Sequence, residues 1–304
     1  MKKVFLYILI ILATSMNINL AHAKQPIKIV TTIGQITDAV KSIAGDKAIV
    51  QGLMGAGVDP HLYKASESDV RKLAQADIIF YNGLFLESKM EILFEKMGRN
   101  KKTVGISNFI PKDQLLDSIN YAGHYDPHVW FDITLWSLSV AQIEKTLSHF
   151  DPANKDFYIS NATLYLEKLK KLNTYLHQRS QELSKDDRVL VTAHDAFRYF
   201  GKAYDFEVIG LQGLSTEAEA GTADVRKLAD FITERKIRAL FVESSVPERN
   251  IKAVQEAVQS RGWDVEIGGE LFSDAMGTEG TIEGTYVGML THNIDTIVES
   301  LKER

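Results

Sequence analysis

The sequence predicts an α/β protein in which two similar lobes with mostly parallel sheets are joined by one long rigid helix. Three observations support this fold class. Strand-like and helix-like stretches alternate along the chain, one uninterrupted helical pattern lies near its middle, and one six-residue segment occurs twice. The length of 304 residues is sufficient for two domains, and 45% apolar with 25% charged residues excludes wholesale disorder.

The first 23 residues have the pattern of a secretory signal peptide. Lys2 and Lys3 precede an apolar stretch at 4–13, and Ala21-His22-Ala23 forms a small-residue cleavage site. We therefore expect cleavage and a location in the periplasm. The chain contains no cysteine, so we expect neither disulfides nor the acylated cysteine that anchors a bacterial lipoprotein.

Each predicted lobe contains four short apolar runs, typical of buried strands, separated by helical stretches. In the N-terminal lobe, residues 24–150, the strands are 27–32, 48–54, 78–81 and 103–106, with helices at 35–44, 67–75 and 85–97. In the C-terminal lobe, residues 187–304, the strands are 189–192, 207–211, 239–243 and 265–267, with helices at 195–204, 222–235, 247–261 and 282–302.

A linking helix is predicted within residues 151–186. Asp151 is a suitable N-cap, Pro152 suits the first helical position, and no glycine or proline follows until Gly201. An apolar stripe runs from Ala162 to Leu176. A helix over 152–183 would be ~48 Å long, and the stripe covers too few heptads for a coiled-coil arm.

The repeated segment favours duplication of one lobe. Residues 69–74 and 224–229 have the same sequence, Asp-Val-Arg-Lys-Leu-Ala, and each copy precedes a predicted strand. Two lobes of this kind would face each other across a cleft.

Four residues at the ends of predicted strands could bind a metal. The tripeptide Asp-Pro-His occurs at 59–61 and 126–128, which places His61 and His128 after strands of the first lobe. His194 and Asp274 follow strands of the second lobe. Ligands of open parallel sheets bind outside these strand ends, and three imidazoles with one carboxylate suit a first-row divalent metal.

Each of the four has an alternative interpretation. Asp-Pro-His alone can be a turn, His194 with Asp195 can begin a helix, and Asp274 can be an ordinary loop carboxylate. His124 is interpreted as solvent-exposed, and the remaining histidines as structural: His149, His177 and His292. Residues that could orient the imidazoles are Asp126, Asp195, Asn82 and Glu243.

The motifs resemble those of the TroA-like metal-binding receptors of ABC uptake systems. The similar segments are 59–63, 76–87, 126–132, 192–197 and 272–277, and the resemblance extends over residues 27–304. It implies one buried Zn²⁺ or Mn²⁺ per chain in the cleft, with ligands at His61, His128, His194 and Asp274. It also implies that both lobes dock on a membrane permease.

Two departures from specialised members of that family leave the metal open. Zinc-specialised members often carry a His-rich insert in the first lobe, and none follows His61 here. Manganese-specialised members often have Glu where this chain has His194. An N/O site normally binds Zn²⁺ more tightly than Mn²⁺, but supply in the compartment also determines the cargo.

The alternative functions are a periplasmic metallohydrolase and a surface adhesion protein. The chain has neither a His-Glu-x-x-His nor a Gly-x-Ser-x-Gly motif, and four protein ligands would leave no open position for a catalytic water. We therefore expect a monomeric binding protein that is not an enzyme. The net charge of −5 disfavours nucleic acid as a partner.

Overall fold

The computed structural model describes residues 25–119 and 122–302, so the predicted signal peptide lies outside the described residues. Strands and helices alternate within these ranges. The strands are β1 Ile27–Thr31, β2 Ala48–Gly52, β3 Ile78–Tyr81, β4 Lys102–Gly105, β5 Val189–His194, β6 Glu207–Gln212, β7 Ala239–Glu243 and β8 Glu266–Leu271. The α-helices are α1 Gly34–Ala44, α2 Glu67–Gln75, α3 Glu91–Gly98, α4 Ile133–Phe150, α5 Lys155–Ser180, α6 Arg198–Tyr204, α7 Thr222–Arg235, α8 Arg249–Gln259 and α9 Tyr286–Leu301.

The first four strands form one parallel sheet in the order β2-β1-β3-β4. Parallel neighbours require crossover connections, and α1 and α2 supply two of them. The buried side chains of α1 recur with helical spacing at Ile36, Ala39, Val40 and Ile43, so one face of this helix packs in the core.

The last four strands form two parallel pairs, β5 with β6 and β7 with β8. Strand β5 also contacts β7, so the two pairs lie side by side. The two copies of the repeated segment lie at equivalent positions, in α2 and α7. Asp69 and Asp224 each accept a hydrogen bond from the backbone N–H three residues earlier, at 3.0 and 2.8 Å. The repeated segment therefore begins a helix in the same way in both halves.

The long linking helix packs on both halves of the protein. A 3₁₀ turn at Pro152–Asn154 precedes α5, whose 26 residues span ~39 Å. Near the middle of α5, the Tyr165 hydroxyl donates to Asp38 of α1 at 2.7 Å, and near its C-terminal end Tyr175 and Arg179 donate to Asp295 of α9 at 2.7 and 2.8 Å. These contacts and a buried apolar face make α5 a stiff connection.

One long helix was not predicted. Helix α4 begins after Asp132, whose carboxylate accepts hydrogen bonds from the N–H groups of Thr134 and Leu135, and it packs along α5. An N-cap aspartate before an apolar, helical run was the signal for it.

Two predicted elements have different bounds for backbone reasons. The helix expected at 85–97 begins at Glu91, after a 3₁₀ turn at Ser88–Met90, because Leu84 and Phe85 adopt left-handed φ values of 52° and 68°. Strand β8 continues to Leu271, beyond the predicted end at 267, because a register shift leaves out Gly268 and pairing resumes at Gly269.

In the part of the chain that the structure describes, no helix is both long and apolar enough to span a membrane.

Candidate metal centre

The four predicted residues come together in one buried cluster. His61, His128, His194 and Asp274 each offer one ligand atom, and these atoms lie within 4.8 Å of one another. His194 is the last residue of β5, and Asp274 lies three residues beyond β8, whereas His61 and His128 stand in loops after β2 and β4. The exposed fraction of the four residues is 3% or less. Two come from each half of the protein.

Several donor atoms are spaced as ligands of a single ion would be. The Nε2 atoms of His61 and His128 are 3.4 Å apart. Asp274 Oδ2 lies 3.3 Å from His61 Nε2 and 3.4 Å from His194 Nε2, and Asp274 Oδ1 lies 3.3 Å from His128 Nε2. Ligand atoms bound to one ion at ~2.0–2.1 Å in a tetrahedron would be ~3.3–3.4 Å apart.

Three of these buried atoms make no hydrogen bond. His194 Nε2 and both carboxylate oxygens of Asp274 lack a hydrogen-bond partner among the described residues. Buried polar atoms are normally paired, because their desolvation is otherwise uncompensated. A cation held between them would satisfy all three at once.

The electrostatics of the cluster favour positive charge. Burial raises the pKa of Asp274, but His194 and His128 beside it bring that pKa well below its usual value. Burial lowers the pKa of His128, but Asp274 and Asp126 outweigh this effect and raise it to about 9. The pKa of His194 is likewise raised, against the effect of burial, by Glu243 and Asp274. Two imidazoles therefore attract protons where a metal cation would bind.

Two of the four predicted orienting residues contact an imidazole. Asp126 lies 2.8 Å from Nδ1 of His128, and Glu243 lies 2.5 Å from Nδ1 of His194. These contacts turn the Nε2 atoms toward the centre of the cluster. Asn82 instead donates to the carbonyl of Pro127 at 3.1 Å, and Asp195 lies beside Arg198.

The Asp-Pro-His tripeptides are turns as well as carriers of candidate ligands. The Asp59 carboxylate accepts from the N–H of His61 at 2.8 Å, and Asp126 accepts from the N–H of His128 at 3.0 Å. Each aspartate thus closes a local turn that fixes the histidine two residues later. The turn interpretation of this motif is confirmed, and it does not exclude a role for each histidine as a ligand.

A tight strand contact fixes His194. Gly210 of β6 packs against the peptide that joins His194 to Asp195, and a Cβ at Gly210 would lie 2.5 Å from the backbone N of Asp195. Only glycine allows this approach without moving the chain. The buried ring of His194 is therefore held by strand packing as well as by Glu243.

Sequence reasoning missed the residues that position Asp274. The carbonyl of Ser273 accepts hydrogen bonds from Trp130 Nε1 at 3.1 Å and from Gln35 Nε2 at 3.3 Å. Both donors are buried residues of the first half. Trp130 follows the second Asp-Pro-His motif by two residues, but its partner is distant in sequence and gave no local signal.

The remaining histidines lie outside the cluster. His124 was interpreted as solvent-exposed, but it is half-buried with its ring 4.2 Å from that of Phe85. His149 and His177 are exposed on α4 and α5, and His292 of α9 lies 2.9 Å from the carbonyl of Glu270.

Replacing Glu243 by glutamine should weaken Zn²⁺ binding by about 10–100-fold, the usual effect of losing a residue that orients a metal-bound histidine. Glu243 accepts from both the backbone N–H and the Nδ1 of His194, at 2.8 and 2.5 Å. A glutamine can accept at only one of its two terminal atoms, so one donor would face an NH₂ group.

The measurement is a Zn²⁺ competition titration against a chelator of known affinity. Glu256→Gln, on the exposed face of α8, is the matched control and should bind as the wild type does. Equal affinities for the two variants would show that Glu243 does not orient His194 for metal binding.

Comparisons with known proteins identify similar chains over almost the whole length. The family model described as "ZnuA: Zinc-uptake complex component A periplasmic" matches residues 29–300. The zinc-binding protein TroA of Treponema pallidum is 53% identical over 273 residues, covering 90% of this chain and 88% of that protein. The manganese-binding lipoprotein MntA of Bacillus subtilis is 48% identical over 280 residues, covering 92% and 91%.

A solved structure has the same fold. The periplasmic zinc-binding protein TroA from Treponema pallidum superposes with a TM-score of 0.90 at 51% identity, covering 91% of this chain and all of that one. The predicted two-lobe architecture with parallel sheets and a long helix is confirmed by this likeness. The names of the similar proteins divide between zinc and manganese.

Proposed function

The chain belongs to the family of the periplasmic zinc-uptake complex component A, and on that premise we propose that it binds one Zn²⁺ or Mn²⁺ ion and delivers it to the membrane permease of an ABC transporter. His61, His128, His194 and Asp274 are the proposed ligands. The observation that carries the proposal is the buried set of four residues whose ligand atoms lie within 4.8 Å of one another. The ion is cargo, bound and released unchanged.

The competing functions find no matching feature in the described residues. A catalytic metal keeps an open coordination position for water, whereas four protein donors face one another here and are at most 3% exposed. The family is one of uptake components, not of enzymes. An adhesion role receives no support from the similar proteins.

Export and domain organisation are part of the proposal. We propose that the signal peptide directs export across the cytoplasmic membrane and is cleaved after residue 23, which releases a soluble monomer. Residues 24–150 and 187–304 would be the two lobes and residues 151–186 the linker, because α5 contacts α1 of one half and α9 of the other. Mass spectrometry of protein purified from its native host would locate the mature N-terminus.

The deciding experiment is metal stoichiometry. Purified protein, freed of metal and titrated separately with Zn²⁺ and Mn²⁺, should bind one ion per chain, and elemental analysis of protein from the native host should identify the physiological cargo. A hydrolase screen on the loaded protein should give no turnover. Protein that binds no ion, or turnover that depends on the metal, would contradict the proposed function.

Metal affinity should fall steeply on acidification, beginning above pH 7. An imidazole binds metal only when its nitrogen is unprotonated. Because the pKa of His128 is raised to about 9, that imidazole holds a proton at pH 7 in the metal-free protein, and the raised pKa of His194 favours a proton there as well. Binding must release the proton of His128 and any proton on His194, so the apparent affinity should drop by at least about tenfold per pH unit near neutrality.

Calorimetric titrations in two buffers with different ionisation enthalpies would count the protons released at pH 7. Free histidine, with a pKa of ~6.5, would give a loss of affinity mainly below pH ~6. Release of no proton at pH 7 would therefore contradict the influence of Asp126, Glu243 and Asp274 on the imidazoles.

A further inference from the structure

A cavity leads from the surface to one of the proposed metal ligands. Its volume is about 260 Å³, and its lining includes His61, Phe85 and His124 from the first half and Leu214 and Glu217 from the second. His61 is 3% exposed, against 1% or less for the other three ligands. The ion would therefore reach the cluster past His61.

One side of this cavity is a loop without helix or strand, residues 213–221, which joins β6 to α7. The loop makes two polar contacts with the first half. The hydroxyl of Thr216 donates to the Asp59 carboxylate at 2.5 Å, and Glu217 forms an ion pair with Lys89. Thr216 is 8% exposed, so its contact is shielded from water. The ion pair is only half-buried and contributes less.

The contact at Asp59 also reaches the metal cluster. The other carboxylate oxygen of Asp59 accepts from the N–H of His61. The residue that holds the loop closed therefore also fixes the turn that carries a metal ligand. A loop that left Asp59 would remove one of the two partners of that carboxylate.

The opposite side of the cavity is fixed. Leu84 and Phe85 keep left-handed backbone angles, a conformation unfavourable for these residue types. The buried Glu87 carboxylate accepts from the N–H groups of Asn82 and Gly83 at 2.8 and 3.2 Å, which ties this segment to the end of β3. Residues 213–221 are therefore the side of the cavity that can move to open it.

We propose that residues 213–221 form a lid over the metal site, held shut by Thr216 on Asp59 and by Glu217 on Lys89, and that this lid sets the rates of metal entry and release. The inference rests on the proposed function, since it assumes that the cluster binds metal. None of the lid residues is a proposed ligand. The two contacts, Thr216 with Asp59 and Glu217 with Lys89, together form the latch. Weakening the latch should therefore change the rates of metal entry and release more than the equilibrium affinity for the metal.

The test is Thr216→Val, which removes the hydroxyl and keeps the shape of the side chain. Release of Zn²⁺ into an excess of a colorimetric chelator gives the dissociation rate, and stopped-flow mixing gives the association rate. Both rates should rise by about tenfold, the effect of one hydrogen bond to a charged group, while Kd changes by less than about threefold. Thr216→Ser, which keeps the hydroxyl, should exchange at the wild-type rate.

Three further variants complete the test of the latch. Thr174→Val, on the exposed side of α5, is the matched control and should leave both rates unchanged. Lys89→Glu should speed release by about threefold through repulsion of Glu217, and the double variant Lys89→Glu/Glu217→Lys should restore the wild-type rate.

Wild-type rates in both Thr216→Val and Lys89→Glu would overturn the lid. A Thr216→Val variant that loses affinity with an unchanged association rate would also overturn it. That result would mean that Thr216 only supports the position of His61. In either case the wild type still binds one ion, so the proposed function stands. A wild type that binds no Zn²⁺ would overturn both.

Discussion

Asp274→Ala is expected to weaken Zn²⁺ binding by at least about 100-fold, or ~2.7 kcal/mol. Asp274 is the one anionic member of the four donors, and its carboxylate lies 3.3–3.4 Å from the Nε2 atoms of all three histidines. Its loss would leave three neutral ligands and a buried space for water. Removing the charge would also ease deprotonation of His128 and His194. The loss of Zn²⁺ affinity relative to the wild type should therefore be smallest at low pH.

The control variant for this prediction is His124→Ala. His124 lines the cavity beside Phe85 but lies outside the cluster. Its truncation should change Kd by less than about threefold, whereas His61→Ala and His128→Ala should each cost at least about tenfold. A variant series in which His124→Ala abolished binding and Asp274→Ala did not would refute the ligand assignment.

His194→Glu is expected to lower the ratio of Zn²⁺ to Mn²⁺ affinity by about tenfold or more, because a carboxylate replaces a nitrogen donor with oxygens that Mn²⁺ prefers. From sequence alone, the single substitution would be expected to retain binding. The structure adds a conflict: Glu243 lies 2.5 Å from His194 Nδ1, so two buried carboxylates would meet. Like charges at this distance force one of them to take a proton.

We therefore expect His194→Glu alone to bind both metals more weakly, and His194→Glu/Glu243→Gln to recover Mn²⁺ binding. Competition titrations of the two metals against wild type, both variants and His194→Ala would measure the ratio. An unchanged ratio in the double variant would mean that selectivity is determined by other features, such as how Asp274 coordinates the ion.

The sequence predicted those parts of the fold and site that depend on local patterns. Apolar runs located the strands to within a few residues, and the positions of His61, His128, His194 and Asp274 relative to strand ends predicted the cluster. The left-handed backbone at Leu84 and Phe85 has no such signature, which explains the misplaced start of α3.

Contacts between the halves could not be predicted in the same way. Asp126 and Glu243 were among the candidates for orienting an imidazole, but which histidine each would serve depends on how the sheets pack. The bonds from Trp130 and Gln35 to Ser273 join residues more than 140 positions apart in sequence. Such pairs depend on tertiary packing, which local sequence propensities do not determine.

Because α5 is bonded to Asp38 near its middle and to Asp295 near its C-terminal end, little apolar surface can become buried or exposed when the ion binds. The heat-capacity change of metal binding should therefore be close to zero, since burial of apolar area is what makes it negative. The heat of binding, corrected for buffer ionisation, should hardly vary with temperature. In thermodynamic terms, the stiff helix makes metal capture resemble loading of a preformed chelator, unlike closure of a hinged receptor around its ligand.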